Sequence, residues 1–265
     1  MNGSIFDHSR AVIVHSDWAL KEARGRFPEH VERTTMIPLG AEPIDQDEAK
    51  RRAIRTSRGW SDETIVFTSL GFITRGKLCV ESIEAFAPVA RAEPNAIYLF
   101  VGQDLEQGET REKAEELGIA DRVRFLGRRS DKEYSDLVLA TDVGVSLRRP
   151  PTYGESSASL LDFMRAGVAT IVTDVGTFAD FPDSAVRKLR WDDSFPRNLS
   201  ATMLDLARDP VSRAKLGHAA YREIVDRHDW SKVAERYVET IERGRTRSLE
   251  MRRGAFAHPN PGVRL

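Results

Sequence analysis

Cysteine is almost missing from this 265-residue sequence, which carries Cys79 alone. A lone thiol excludes an internal disulfide and any metal site built from several cysteines. Its simplest place is as a small apolar side chain on a helix. Long hydrophobic runs are missing too. Apolar stretches such as Ala96–Val101 fall far short of the ~20 residues that cross a bilayer. Met1 to His8 lacks the basic-then-apolar layout of a secretory signal, so the expected location is the cytoplasm. An excess of one charge is absent as well: 40 basic residues face 41 acidic ones, a formal net charge of −1. No overall basic field therefore argues for nucleic acid. The local run Arg243, Arg245, Arg247, Arg252 and Arg253 reads as a solvated helix end or tail. His8 and His15 stand in no set with ligand spacing and read as structural. No tandem repeat or low-complexity tract is present. The 40% hydrophobic content is ordinary for a soluble globular protein, and the length suits one large domain or one domain with part of another.

The order of what remains is regular. Ala11–His15 is a short apolar run ending at Ser16, which can cap a helix over Asp17–Arg26, and Thr35–Gly40 reads as a second short strand. Residues 41–60 are polar and suggest a connecting segment containing a helix. From Thr64 onward, strands and helices alternate. Strands are expected over Thr64–Leu70, Ala96–Val101, Arg122–Leu126, Asp142–Leu147 and Val168–Val172, with a weaker one near Val186–Trp191. Helices are expected over Leu78–Arg91, Thr110–Leu117 and Ser130–Ala140, the last opening on a Ser130–Glu133 capping box. Three more, near Asn198–Arg208, Pro210–Arg227 and Ser231–Arg243, complete the alternation. The fold class that follows is α/β, a doubly wound, parallel, Rossmann-like sheet with helices on both faces. Ligands of such sheets bind beyond the carboxyl ends of the strands. The glycine-rich and polar loops after Leu70, Val101, Leu126, Leu147 and Val172 should gather along that edge.

One of those loops is unlike the others. Arg148-Arg149-Pro150-Pro151-Thr152-Tyr153-Gly154-Glu155-Ser156-Ser157 leads into a helix that Gly167 is placed to end. A helix starting from an arginine-flanked loop aims free amides and a positive dipole end outward, which suits phosphate. With a helix beginning near Glu155, that residue and Asp162 would be two turns apart with both carboxylates on one face.

These motifs together resemble the nucleotide-binding half of GT-B glycosyltransferases of the retaining family 4, or group 1, type. The resemblance rests on Gly71-Phe72-Ile73 with Lys77, Val101-Gly102, Val123-Arg124-Phe125-Leu126-Gly127, Thr141-Asp142-Val143, and Gly154-Glu155. It continues through Leu160-Leu161-Asp162-Phe163-Met164-Arg165-Ala166-Gly167, Ala169–Val172 and Thr173-Asp174-Val175-Gly176. Order and spacing match over residues 60–185, and residues 11–43 and 230–237 resemble adjoining parts of the same family. It implies that residues 1–45 are a remnant of an N-terminal acceptor domain, with 46–60 a linker and 61–228 the nucleotide-sugar-binding domain. A C-terminal helix over 229–248 and a disordered tail over 249–265 would follow. Most of the first domain of such an enzyme is missing from this sequence.

The activity implied is transfer of a sugar, with retention, from a nucleotide-diphosphate sugar to an unknown glycan, lipid or small-molecule acceptor. No cofactor or metal is implied. The donor would carry UDP or GDP. By the resemblance Lys77, with Arg75, would pair with the donor diphosphate. Ser156 and Ser157 would meet its distal phosphate, unless they only cap the helix. Glu155, the catalytic candidate, would hold a sugar hydroxyl or steady charge at the anomeric carbon, unless it only complements the dipole. Asp162 would accept the ribose hydroxyls, or serve as an ordinary salt-bridge partner. Gly127, Arg128 and Arg129 would flank the base, and Thr152, Tyr153 and Gly154 would line the sugar pocket. The family's usual arginine after the first glycine is Phe72 here, and its second acid is Asp162. A different class of function also fits: a nucleotide-sugar-binding module or fragment lacking the acceptor domain, inactive alone or needing a partner chain; self-association or a partner is expected through the face of the missing domain. A sugar-nucleotide epimerase or a phosphorylase fits less well, lacking their acid–histidine layout and cofactor lysine.

Overall fold

In the computed structural model residues 3–256 are described, with side chains for residues 3–246. A short helix α1 (Gly3–His8) precedes β1 (Val12–Val14), α2 (Asp17–Arg26) and β2 (Thr34–Met36). The two strands pair in parallel, with Val12 opposite Thr34 and Val14 opposite Met36. Ser16 caps α2 as its spacing predicts, accepting the Ala19 N–H at 3.0 Å.

The polar segment that follows carries α3 (Glu48–Ser57), capped by Asp47. Its arginines turn inward. Arg51 and Arg55 both donate to the Asp142 carboxylate, at 2.6 and 3.0 Å, and Asp142 also accepts the Val66 N–H at 2.8 Å. Arg55 is only 4% exposed, so this three-residue cluster clamps α3 onto the base of the main sheet.

That sheet contains β3 (Ile65–Leu70), β4 (Ala96–Val101), β5 (Val123–Phe125), β6 (Val143–Ser146), β7 (Ala169–Thr173) and β8 (Arg187–Leu189). The strand order is β5-β4-β3-β6-β7-β8, and every pairing is parallel. The intervening helices are α4 (Cys79–Ala92), α5 (Glu109–Glu116), α6 (Asp131–Ala140) and α7 (Ala158–Arg165). After the sheet come α8 (Phe195–Arg208), α9 (Pro210–Glu223) and α10 (Trp230–Phe256). Such a sheet is buried on both faces, which explains near-continuous apolar strands; β4 is buried at all six positions. On one face Phe67, Phe86, Tyr98 and Phe100 stack or meet edge to face against α4 and α8. On the other, Val66, Leu99, Leu137 and Phe163 pack under α6 and α7. The chain winds outward from β3 to β5, then returns to β6 beside β3. The crevice at this reversal opens past Leu70 and Ser146 and is the expected ligand position.

Three expectations are corrected. The helix after β6 begins at Ala158, not at Glu155, so Glu155 and Asp162 do not share a helical face. The reason is local: Ser157 is the extended cap, its hydroxyl accepting the Leu160 N–H at 3.2 Å, and residues 150–157 stay irregular. Second, the helix expected over Pro210–Arg227 ends at Glu223, where Ile224–His228 widen into a π turn. Third, the last helix runs on to Phe256, past the 229–248 span and into the stretch expected as a tail; residues 257–265 lie outside the described residues. Among the described residues no helix is long and apolar enough to cross a membrane.

Candidate functional site

The turn between β3 and α4 brings Lys77 back over the strand end. Its ammonium donates to the Leu70 carbonyl at 2.9 Å. Gly71 makes room for it: a Cβ there would lie 2.5 Å from Lys77 Nζ, and the residue has φ +85°. Gly71 is itself pressed against the next loop, since a Cβ on Gly102 would come within 2.0 Å of the Gly71 carbonyl oxygen. The two glycines therefore set how closely the β3 and β4 loops approach.

Arg148, at the end of β6, faces Lys77 across the crevice. Its side chain is 14% exposed, lies over the Phe178 ring at 5.4 Å, and reaches the Glu155 carboxylate at 3.5 Å. Burial, then the positive charge of Arg148, push the Lys77 ammonium down to about 8. Burial lowers Arg148 as well, partly offset by Glu155. The next residue fastens the loops together: Arg149 donates its backbone N–H to the Gly76 carbonyl at 2.8 Å and pairs with Glu81. Ser146 Oγ, on the same wall, is buried with no partner among the described residues.

The other expected residues are distributed around this pair. Arg75 turns away, its guanidinium 70% exposed and bonded to Glu109 at 3.0 Å with Glu106 beyond. Glu155 is exposed and accepts the Tyr153 N–H at 3.0 Å, while its own carbonyl accepts from Thr177 Oγ1 at 2.9 Å. Gly154, at φ +79°, sits where a Cβ would strike the Trp18 indole, and Thr152 packs on Gly176 in the same way. Tyr153 is 92% exposed. Ser156 and Ser157 border a second cleft, shared with His15, Thr177, Asp180 and Arg227, between the β1–α2–β2 unit and the main sheet. The structure thus joins Lys77 to Glu155 through Arg148, and sets the two serines on a neighbouring wall.

Asp162 lies on α7 with both carboxylate oxygens engaged, accepting Tyr134 OH at 2.7 Å and Arg165 Nε at 2.8 Å. Burial and the adjacent carboxylate raise the Tyr134 phenol, so it remains a donor. Gly127 turns the chain after β5 at φ +65°, and Arg128 and Arg129 are exposed there. Arg129 borders a groove with Arg58, Trp60 and Arg124 on the α6 side, away from Lys77. Among the described residues no group of three or more His, Cys, Asp or Glu is close enough to hold a metal ion.

Sequence reasoning gives no individual role to Arg148 or Asp180. Arg148 enters there only as one of the two arginines flanking the loop before α7. Asp180 accepts the Trp18 backbone N–H at 2.9 Å, a partner 162 residues away that no local pattern reveals.

The model of the family described as glycosyl transferases group 1 matches residues 50–223, and the chain belongs to that family. It is 24% identical over 235 residues to a mannosylfructose-phosphate synthase of Agrobacterium fabrum, covering 84% of this chain and 50% of the relative. It is 24% identical over 227 residues to a GDP-mannose-dependent monoacylated alpha-(1-6)-phosphatidylinositol monomannoside mannosyltransferase of Corynebacterium glutamicum, covering 84% and 58%. The chain spans about half the length of these curated relatives. Among solved structures it resembles Anabaena Alr3699/HepE in complex with UDP and glucose, with a TM-score of 0.75 and 18% identity over 91% of this chain and 65% of that one. The fold is that of the GT-B glycosyltransferases.

Proposed function

We propose that this chain binds a nucleoside-diphosphate sugar at the β3/β6 crevice and transfers the sugar with retention of anomeric configuration. The observation that carries this reading is Lys77, a desolvated ammonium held over Gly71 at the switch point of a parallel sheet. A leaving diphosphate develops charge as the bond from its β-phosphate oxygen to the anomeric carbon breaks. A fixed cation and the amide end of α7 stabilise that charge without a metal. The new bond forms from the acceptor oxygen on the same face of the sugar, and the acceptor proton leaves with the diphosphate. Glu155 steadies the sugar from the loop before α7. Asp162 receives the ribose by exchanging its bond with Tyr134 for bonds to the two hydroxyls. Gly127, Arg128 and Arg129 border the base, Thr152, Tyr153 and Gly154 the sugar, and Ser156 and Ser157 the distal phosphate. Arg75 joins only if it releases Glu109.

UDP and GDP are the favoured nucleotides, since one relative is named as GDP-mannose-dependent and one structural neighbour is a complex with UDP. The acceptor is a glycan, a lipid or a small molecule. The test is a thermal-shift panel of UDP-, GDP-, ADP- and TDP-sugars followed by calorimetry. Selective stabilisation by one donor, lost in Lys77→Ala and Asp162→Ala, is expected. Binding of none of them overturns the reading.

A second reading has its own observation. The chain spans about half of its curated relatives, and its first sheet has two strands of three residues. On this reading it is a donor-binding module that completes an acceptor site only with another polypeptide. Donor binding without transfer or donor hydrolysis would favour it; turnover by the chain alone would remove it.

A further inference from the structure

We propose that Arg148 binds the donor diphosphate opposite Lys77, supplying the cation that Phe72 cannot. The assignment rests on the nucleotide-sugar reading of this crevice and adds to it a residue from a different strand. Phe72 is 55% exposed and offers no donor. Arg75 and Arg149, the arginines of the same two loops, are already matched, Arg75 with Glu109 and Glu106 and Arg149 with Glu81. Lys77 and Arg148 are different. Lys77 has no carboxylate within pairing distance among the described residues, and Arg148 has only the exposed Glu155 at 3.5 Å.

Two cations withdrawn from water beside each other are unfavourable unless an anion compensates them. The surroundings are organised for one. Phe178 supports the guanidinium plane from below. Arg148 Nη1 is anchored on the Leu147 carbonyl at 2.9 Å, and its backbone N–H on Thr173 Oγ1 at 2.9 Å. Nη2 has no partner among the described residues. Ser146 Oγ, two positions earlier on the same strand end, is buried and equally unpartnered. A planar fork with a free edge, a point charge 71 residues away in sequence but adjacent in space, and an unused hydroxyl together fit a bridging diphosphate. When it binds, Glu155 is released from Arg148 toward the sugar side of the loop.

The experiment is calorimetry of the full chain with UDP, GDP, UMP, GMP and inorganic pyrophosphate, comparing the parent with Arg148→Gln and Arg148→Lys. The expected result is at least a tenfold weaker Kd of Arg148→Gln for the diphosphates and pyrophosphate. Monophosphates should change less than threefold, with partial recovery in Arg148→Lys. Thermal unfolding without ligand establishes that each variant is folded, and Arg148→Lys carries the comparison if the glutamine variant is not. Parent binding with equal affinity in the variants overturns the Arg148 assignment alone, as does an equal loss for mono- and diphosphates. No binding of any nucleotide to the parent overturns the nucleotide-sugar reading and this assignment together.

Discussion

Asp180 Oδ2 accepts the backbone N–H of Trp18 at 2.9 Å, so an acid beyond β7 caps the first turn of α2. Burial, the largest influence, raises the Asp180 carboxyl above its ordinary value. The folded chain therefore holds this proton more readily than the unfolded chain. The group's contribution to stability falls as pH rises from the ordinary carboxylate range through its raised folded value. What the site needs is an acceptor rather than a charge. Asp180→Ala is expected to lose about 1 kcal/mol, as at other helix caps. Asp180→Asn should stay within roughly 0.5 kcal/mol and flatten the pH dependence. Urea unfolding of both variants between pH 4 and 8 checks this.

Lys77 gives a prediction of opposite form. With its ammonium lowered to about 8, it is charged at neutral pH and loses its proton just above. Diphosphate affinity should be constant below about 8 and weaken about tenfold per pH unit above it, as the bound form requires the proton. Without ligand, stability should rise with pH across the interval from about 8 to the ordinary lysine value, because there the unfolded chain binds the extra proton. Lys77→Arg should remove the break in affinity. Kd for UDP or GDP measured across pH 6.5 to 9.5 is the test.

Asp142 is expected to be the costliest single acid to remove. It accepts from Arg51, Arg55 and the Val66 amide, and Arg55 is 4% exposed. Asp142→Ala leaves a buried guanidinium without its counter-charge, a change worth about 3–5 kcal/mol. Denaturant midpoints should show it, and the double variant with Arg55→Met should recover part of the loss.

Tyr134→Phe separates the two roles of Asp162. The phenol now occupies one carboxylate oxygen at 2.7 Å, which a ribose would have to displace. The variant should lose about 1 kcal/mol of stability yet bind UMP or GMP a few-fold more tightly. Asp162→Asn should weaken the same ligands. If Tyr134→Phe weakens them instead, Asp162 serves α6–α7 packing and not the nucleotide.

The sheet was readable because its signals are local. The apolar runs at β3, β4 and β5 each stop just before a glycine with positive φ or a close neighbour, at Gly71, Gly102 and Gly127. The Ser130–Glu133 capping box and the Gly167 turn, at φ +68°, formed where four-residue patterns placed them. The site was less readable because distant residues shape it. Residues 150–157 are held off the helix by Trp18 against Gly154 and by Thr177 on the Glu155 carbonyl. The direction of Arg75 is decided by Glu109, 34 positions on. Lys77 could be singled out from its loop and Arg148 from the arginine-flanked one, but that the two are neighbours becomes visible only when β3 and β6 are set side by side.

The contacts that secure the β1–α2–β2 unit come from far along the chain. His228 accepts the Ala41 N–H on its backbone carbonyl, and its ring bonds the Leu39 carbonyl 189 positions away. Trp230 fills the space above Gly40, where a Cβ would come within 2.4 Å, and Arg236 donates to the Met36 carbonyl. During synthesis on a ribosome these early strands emerge long before α10 exists to hold them. Until then they are held only from the sheet side, by contacts such as Asp180 on the Trp18 amide. A chain shortened before residue 228 should therefore expose its opening segment to proteases while retaining the sheet, a separation in the order of assembly rather than in the final shape.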